Sequence, residues 1–237
     1  MADQFTAPIT YFLQEGQANL DECLRIAFDG AAQHQIKKIV IFTAQGSGVR
    51  RAIEKFTSQD EYKDISLIAV QFPFGKEFTD KDGGKFTVEI TREDRELFNS
   101  HGVPIIRANL PFDPIKAQFR DHGVLGQDLS LIGNALNMFC GSMNLCVQAS
   151  LLACDAGEVS IGEHIVAMAS DTAILVKATT TSRMLTDLII REIFCKPAVF
   201  TIGKRETSEG AGSGLLPFPA TEISTEAVAT LPPPKPE

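Results

Sequence analysis

The chain of 237 residues is longer than a usual single domain of roughly 100–150 residues and shorter than two full-sized ones. Its 44% hydrophobic and 22% charged residues are ordinary for a globular protein that buries a core without disulfide or metal staples. Acidic residues outnumber basic ones 30 to 22, a formal charge of −8, which argues against general nucleic-acid binding and against adhesion to anionic membranes. A small anion held by backbone amides is not excluded by that balance.

The first residues lack the basic-then-apolar pattern of a signal peptide, and no uncharged apolar run reaches the roughly 18 residues of a membrane span. The expectation is a cytoplasmic protein. Leu20, Cys23, Leu24, Ala27 and Phe28 share one helical face, with Asn19 at the N-cap and Glu22 three residues on, close to a capping box. This helix runs towards His34. Ile39-Val40-Ile41-Phe42 is apolar throughout, the mark of a strand covered on both faces, as in a parallel sheet. A small-residue turn, 43–48, leads into a helix over 49–56. Ile65 to Val70 reads as a second buried strand, 79–85 as a polar turn, and Phe86 to Ile90 as a short strand. Thr91 caps a helix to Ser100, followed by Gly102 and a third strand at Val103 to Ile106.

The segment 113–126 breaks the pattern. Gln127 to Ala156 has helical period, divided or kinked at Gly141-Ser142, with Gly157 as the C-cap. Strands follow at 164–168 and 173–176, Leu188 to Phe194 is apolar enough for a strand or a short helix, with strand favoured, and Val199 to Ile202 can add an edge. The alternation of helices and strands predicts an α/β fold, one domain over 1–204. Beyond it, 205–237 is a proline- and glycine-rich tail whose Leu215-Leu216-Pro217-Phe218 can clamp onto the body.

The five cysteines, Cys23, Cys140, Cys146, Cys154 and Cys195, include no Cys-x-x-Cys pair and read as small core hydrophobes of a reducing compartment. His34, His101, His122 and His164 show no metal-ligand spacing, so no metal site is expected. Asp121-His122-Gly123 lacks a Gly-x-Ser-x-Gly nucleophile elbow to serve. Phe72, Phe74 and Phe78 fit either stacking on a planar ligand or packing beneath a neighbouring element.

Thr43-Ala44-Gln45-Gly46-Ser47-Gly48 carries the strongest local signal. It lies between a buried strand and a helix start, where amides lack intrahelical partners and the helix dipole favours an anion. Glycines permit close approach and the hydroxyls add donors, the requirements of a phosphate cradle. It is neither a Walker loop nor a dinucleotide fingerprint. Thr43, Gln45, Gly46, Ser47 and Gly48 are therefore candidate ligand-binding residues, joined by Asp171 and Thr172 at the opening of a later strand. Arg50 and Arg51 stand near enough in sequence to neutralise an anion.

Residues Ile39 to Phe56 resemble the C-terminal domain of pyruvate kinase, in which a strand ends in a Thr-x-Ser/Thr-Gly-x-Ser/Thr loop that in many members grips a phosphate of an allosteric sugar bisphosphate. Thr43, Gly46 and Ser47 stand at corresponding or adjacent positions. Over about residues 10–197 the chain is similar to the stand-alone pyruvate kinase C-terminal-domain-like proteins. The carriers are Gly16 and Asn19, Cys154-Asp155-Ala156-Gly157, Asp171-Thr172-Ala173 and Glu192-Ile193-Phe194-Cys195-Lys196-Pro197. The resemblance implies a three-layer α/β/α sandwich with a mostly parallel central sheet, without the barrel that performs kinase chemistry. The chain departs from the family at Asn144 and Gln148, where Lys and Glu are usual, and in a shortened 168–171 loop. It also has Phe72-Pro73-Phe74-Gly75 where histidines are common.

The functional expectation is binding of a small phosphate-bearing ligand, a sugar phosphate or flavin mononucleotide, at 43–48. Two alternatives stand beside it. One is an enzyme on a phosphorylated small molecule with Asp155 and Asp171 as acid and base. The other is a non-catalytic homo-oligomeric assembly protein.

Overall fold

A computed structural model describes residues 4–80, 82–112 and 127–198. Its centre is a seven-stranded sheet. The strands are β1 (Thr10–Phe12), β2 (Lys38–Phe42), β3 (Ser66–Gln71), β6 (Ile105–Arg107), β7 (His164–Met168), β8 (Ala173–Lys177) and β9 (Ile189–Pro197). Two short strands, β4 (Glu77–Thr79) and β5 (Lys85–Thr87), form a separate antiparallel hairpin. Across the main sheet the order is β1-β9-β8-β7-β2-β3-β6. Only β8 is antiparallel to its neighbours, so the sheet is mostly parallel, as the resemblance implies.

Helices α1 (Leu20–Gln33), α2 (Ser47–Lys55), α3 (Arg92–Ser100), α4 (Gln127–Asn137), α5 (Gly141–Asp155) and the single turn α6 (Met184–Asp187) complete the body. The alternation along β2 shows why both sheet faces need helices. Ile39 and Ile41 enter one core with Leu24 and Phe28 of α1 and Val49 of α2, while Val40 and Phe42 enter the other with Met143 and Leu151 of α5. Such strands expose no face to water, which explains their unbroken apolar runs.

Several sequence expectations are corrected. Asn19 does not cap α1, because a 3-10 turn over Gln17–Asn19 feeds straight into the helix and puts Asn19 in helical conformation. Its side-chain Nδ2 donates to the Gln14 carbonyl, and Glu22 pairs with Arg25 instead of closing a capping box. The 86–90 strand is confined to Lys85–Thr87 and joins the hairpin, not the main sheet. The amino-terminal edge strand β1 was not anticipated. The division near Gly141-Ser142 is real: α4 ends at Asn137 and α5 begins at Gly141. The expected irregular connection at 113–126, the triad candidate Asp121-His122-Gly123, the edge at 199–202 and the tail at 205–237 lie outside the described residues. Among the described residues no helix is long and apolar enough to cross a membrane.

All five cysteines are free and buried. Burial raises the thiol pKa of Cys23, Cys140, Cys146 and Cys154 above the usual value, because a thiolate loses its hydration inside the core. Native protein should therefore leave an aromatic disulfide reagent unreacted over minutes, with five thiols appearing in denaturant. The linkage has a sign. Unfolded thiols ionise near pH 9 and buried ones do not, so stability should fall as pH rises beyond that point. A thiol titrating fast in the native state would contradict this packing.

Candidate functional site

Because α1, α2 and α5 each run antiparallel to the strands that follow or precede them, their amino termini meet at the carboxyl edge of the sheet. There, β2 and β7 lie side by side, and the chain leaves them in opposite directions, to β3 through α2 and to β8 through a tight turn. A crevice opens at such a reversal in α/β sheets and is where they place ligands. It is occupied here by a cleft of about 120 Å³ lined by Thr43, Ser47, Gly48, Phe72, Ser142 and Ser170, among others. No charged side chain is among the described residues lining it.

The β2–α2 loop is built to leave donors free. Thr43 is held to the sheet by its backbone N–H, which donates to the Val70 carbonyl at 2.9 Å, and its hydroxyl accepts from the Gly46 amide at 3.0 Å. Gly46 adopts the left-handed region (φ 91°), which turns the chain into α2 at little cost only for glycine. A Cβ there would stand 3.2 Å from the Phe98 ring and 3.5 Å from the Asp94 carboxylate. Gly48 packs flat on β2, with a Cβ position 3.1 Å from Ile41. The first-turn amides of Ser47, Gly48 and Val49 have no intrahelical acceptor, and no side chain caps them.

Helix α5 presents the same arrangement from the opposite face of the sheet. Its N-cap, Cys140, makes no side-chain capping hydrogen bond, and Ser142 in its first turn lines the cleft. Peripheral α3 differs, since Thr91 accepts from the Asp94 amide and closes that helix end. Two uncapped helix termini thus face one cleft, while the helix at the sheet's margin is capped by its own sequence.

The loop is braced from behind. Asp94, 5% exposed, accepts from Arg50 at 2.6 Å and from the Thr91 hydroxyl at 3.0 Å, beneath Gly46. Fully buried Gln71 donates to the Ala44 carbonyl at 3.3 Å and accepts twice from Arg107. Arg107 also pairs with Glu89. Arg50 and Arg51 are both committed, the latter to Asp21, so the expectation that they neutralise an anion in the cleft is corrected.

The sequence-predicted residues separate into three groups. Thr43, Ser47 and Gly48 line the cleft; Gln45 points to solvent, and Gly46 shapes the turn without lining the cleft. Asp171 and Thr172 lie beneath its floor, both buried. The Asp171 carboxylate accepts from the Gly16 amide at 2.7 Å, so it is the anion that closes the entry to α1, and from the Thr172 hydroxyl at 3.2 Å. Cysteine thiols tie down the same turn: Cys23 donates to the Ala169 carbonyl, Cys146 to the Thr172 carbonyl, and Cys140 lies 3.2 Å from the Thr172 hydroxyl.

Asp155 ends α5 at the other edge of the sheet, where it accepts from the Thr181 amide and hydroxyl. Asp155 and Asp171 are therefore not neighbours, and the expected acid/base pair is not assembled; antiparallel packing of α5 on β7 separates them by the helix length. Asn144 and Gln148 also have a structural use. Gln148 accepts from the Phe112 amide and donates to Asn144, both at 2.9 Å, which satisfies a buried backbone group. Phe72 walls the cleft and meets Phe42 and Phe78 edge-on, while Phe74 is 81% exposed beneath the Arg107 guanidinium.

Sequence reading missed Ser142, Ser170 and Gln17. A signal for Ser142 was present, since Gly141-Ser142 opens α5 as Gly46-Ser47 opens α2. Ser170 and Gln17 reach the cleft only through the sheet topology. No group of His, Cys, Asp and Glu suited to a metal occurs among the described residues. A larger concavity of about 470 Å³ lies beside β9 but is mainly apolar. No family model matches the chain.

Proposed function

We propose that the protein binds a small phosphate-bearing molecule in the β2/β7 cleft. The observation that carries this reading is the pair of uncapped helix termini, α2 and α5, converging on one uncharged, hydroxyl-lined cleft. The phosphate sits between the amides of Ser47 and Gly48 and the first turn of α5, with the Ser47 and Ser142 hydroxyls as added donors. The resemblance of loop 43–48 to a sugar-phosphate-gripping loop points the same way. Pockets that enclose a whole drug-sized ligand measure roughly 300–1,000 Å³. A cleft of about 120 Å³ accepts the phosphate alone, so the sugar or flavin of a larger ligand extends past Phe72 towards solvent.

Mass action provides the test. Inorganic phosphate, a sugar monophosphate and flavin mononucleotide are each titrated while thermal unfolding is followed. A ligand at 100 times its Kd stabilises by about 2.7 kcal/mol, which raises Tm by roughly 5–11 °C for a body of this size. Ser142→Asp places a carboxylate at the α5 terminus, where it stabilises the ligand-free protein by about 0.3–1 kcal/mol and repels a phosphate. The expected result is a higher starting Tm and no response to phosphate compounds. A silent wild type, or a variant responding as strongly as the wild type, would remove the reading.

A further inference from the structure

The polar side chains lining the β2/β7 cleft are short of partners. Among the described half-buried serines and threonines, Thr57 and Thr180 lie away from the cleft and hydrogen-bond inside the protein, to the Ile53 carbonyl and with the Ser182 hydroxyl. The others, Ser47, Ser142 and Ser170, have no hydrogen-bond partner among the described residues, and all of them line the cleft. The Gln17 carboxamide lines it too and is equally unpartnered among the described residues. A half-buried polar group without a protein partner keeps its hydrogen-bonding capacity for water or a ligand.

Their placement sorts these groups by chemistry. The sheet order puts β2 between β7 and β3, so Ser170, which follows β7, and Phe72, which follows β3, stand on opposite flanks of loop 43–48. Gln17 belongs to the Ser170 flank, because the amide of its neighbour Gly16 donates to Asp171 at 2.7 Å. Ser47 and Ser142 open helices whose free amides suit an oxyanion, which only accepts hydrogen bonds. Ser170 instead lies in a strand-to-strand turn and precedes the Asp171 carboxylate. A second phosphate there would meet that negative charge. A neutral hydroxyl would not, and it both donates and accepts, as a carboxamide and a serine hydroxyl together can.

We propose, on the footing that the cleft binds phosphate, that its ligand is the phosphate ester of a polyol. Gln17 and Ser170 bond hydroxyls on the carbons next to the ester, and Phe72 packs against the C–H face of the chain from the other flank. The helix termini hold the phosphate, while Gln17 and Ser170 set which ester is taken. Their backbones are fixed before the ligand arrives. The Asn19 amide donates to the Gly16 carbonyl at 3.1 Å, and the Ala169 amide donates to the Thr172 carbonyl at 2.9 Å. Only side chains are ordered on binding, which keeps its entropic cost low.

Glycerol 3-phosphate and propyl phosphate share a carbon chain and a phosphate ester and differ only in hydroxyls, so they form the test pair. Calorimetric titration of the full-length protein with each gives a ratio of affinities, expected to favour glycerol 3-phosphate by about tenfold or more. In Gln17→Ala/Ser170→Ala the ratio is expected to fall to about one, the value for hydroxyls that meet no partner. Neither side chain bonds to the body, so the fold is kept, and an unchanged Tm verifies this. Equal binding of the two esters by the wild type overturns the inference and leaves the phosphate site standing. So does a ratio that survives the double substitution. Tighter binding of phenyl phosphate than of glycerol 3-phosphate overturns it in favour of an aromatic ligand stacked on Phe72. Binding of none of the three esters overturns the phosphate site and this inference together.

Discussion

Replacing Asp171 by asparagine is expected to destabilise the protein by about 2–3 kcal/mol, lowering Tm by roughly 4–12 °C. The carboxylate is 3% exposed and accepts two hydrogen bonds, one from the Gly16 amide at the entry to α1 and one from Thr172. Asparagine keeps the shape but loses the charge that complements the helix terminus and turns one acceptor into a donor. Asp171→Ala should cost more, since it leaves the Gly16 amide and the Thr172 hydroxyl unpaired. Thermal unfolding measures both. A residue that served only as acid or base would leave Tm unchanged on mutation, so a variant with wild-type Tm would refute the anchoring role.

The brace behind loop 43–48 should be the other sensitive point. Asp94→Ala is expected to cost about 2–4 kcal/mol, somewhat below the 3–5 kcal/mol for breaking a fully buried pair, because Arg50 is 35% exposed and can rehydrate. The loss falls beside the proposed phosphate site. Asp94 sits 3.5 Å from the point a Gly46 Cβ would occupy, so its removal loosens the turn that aims the Ser47 and Gly48 amides. A double-mutant cycle with Arg50→Ala separates the terms. The expected coupling is above 0.5 kcal/mol, and strict additivity would show that the pair does not act as a unit.

How much was legible in the sequence depended on how local its cause was. Ile39 to Phe42 could be read because a strand buried on both faces needs four apolar residues in a row. Thr91 could be read because its cap involves the amide three residues on. Loop 43–48 was legible for the same reason, as its geometry is closed by Thr43 and Gly46 within the loop. Strand β1 was not, since its three residues alternate little and its partner, β9, lies at the far end of the described chain. The second half of the cleft, Ser142 and Ser170, was hidden because only the β2–β7 pairing brings α5 and the β7–β8 turn to the loop. Asp155 and Asp171 illustrate the reverse error: the direction of α5 on the sheet, which separates them, leaves no mark on either residue's neighbours in sequence.

The pairing of β1 with β9 has a consequence for synthesis. Thr10 is matched with Cys195, and Gly16 is bonded to Asp171, so the chain's earliest residues find their partners among its last described ones. Loops of this length close slowly, and on a ribosome adding roughly 5–20 residues per second the amino-terminal strand must wait for nearly the whole body to emerge. A nascent chain that already contains α2 has only half of the β2/β7 cleft, because α5 and the 169–172 turn are still to come. If the proposed phosphate binding holds, it is a property of the finished chain, and a phosphate compound would act as a late lock on the folded body, not as a nucleus for it.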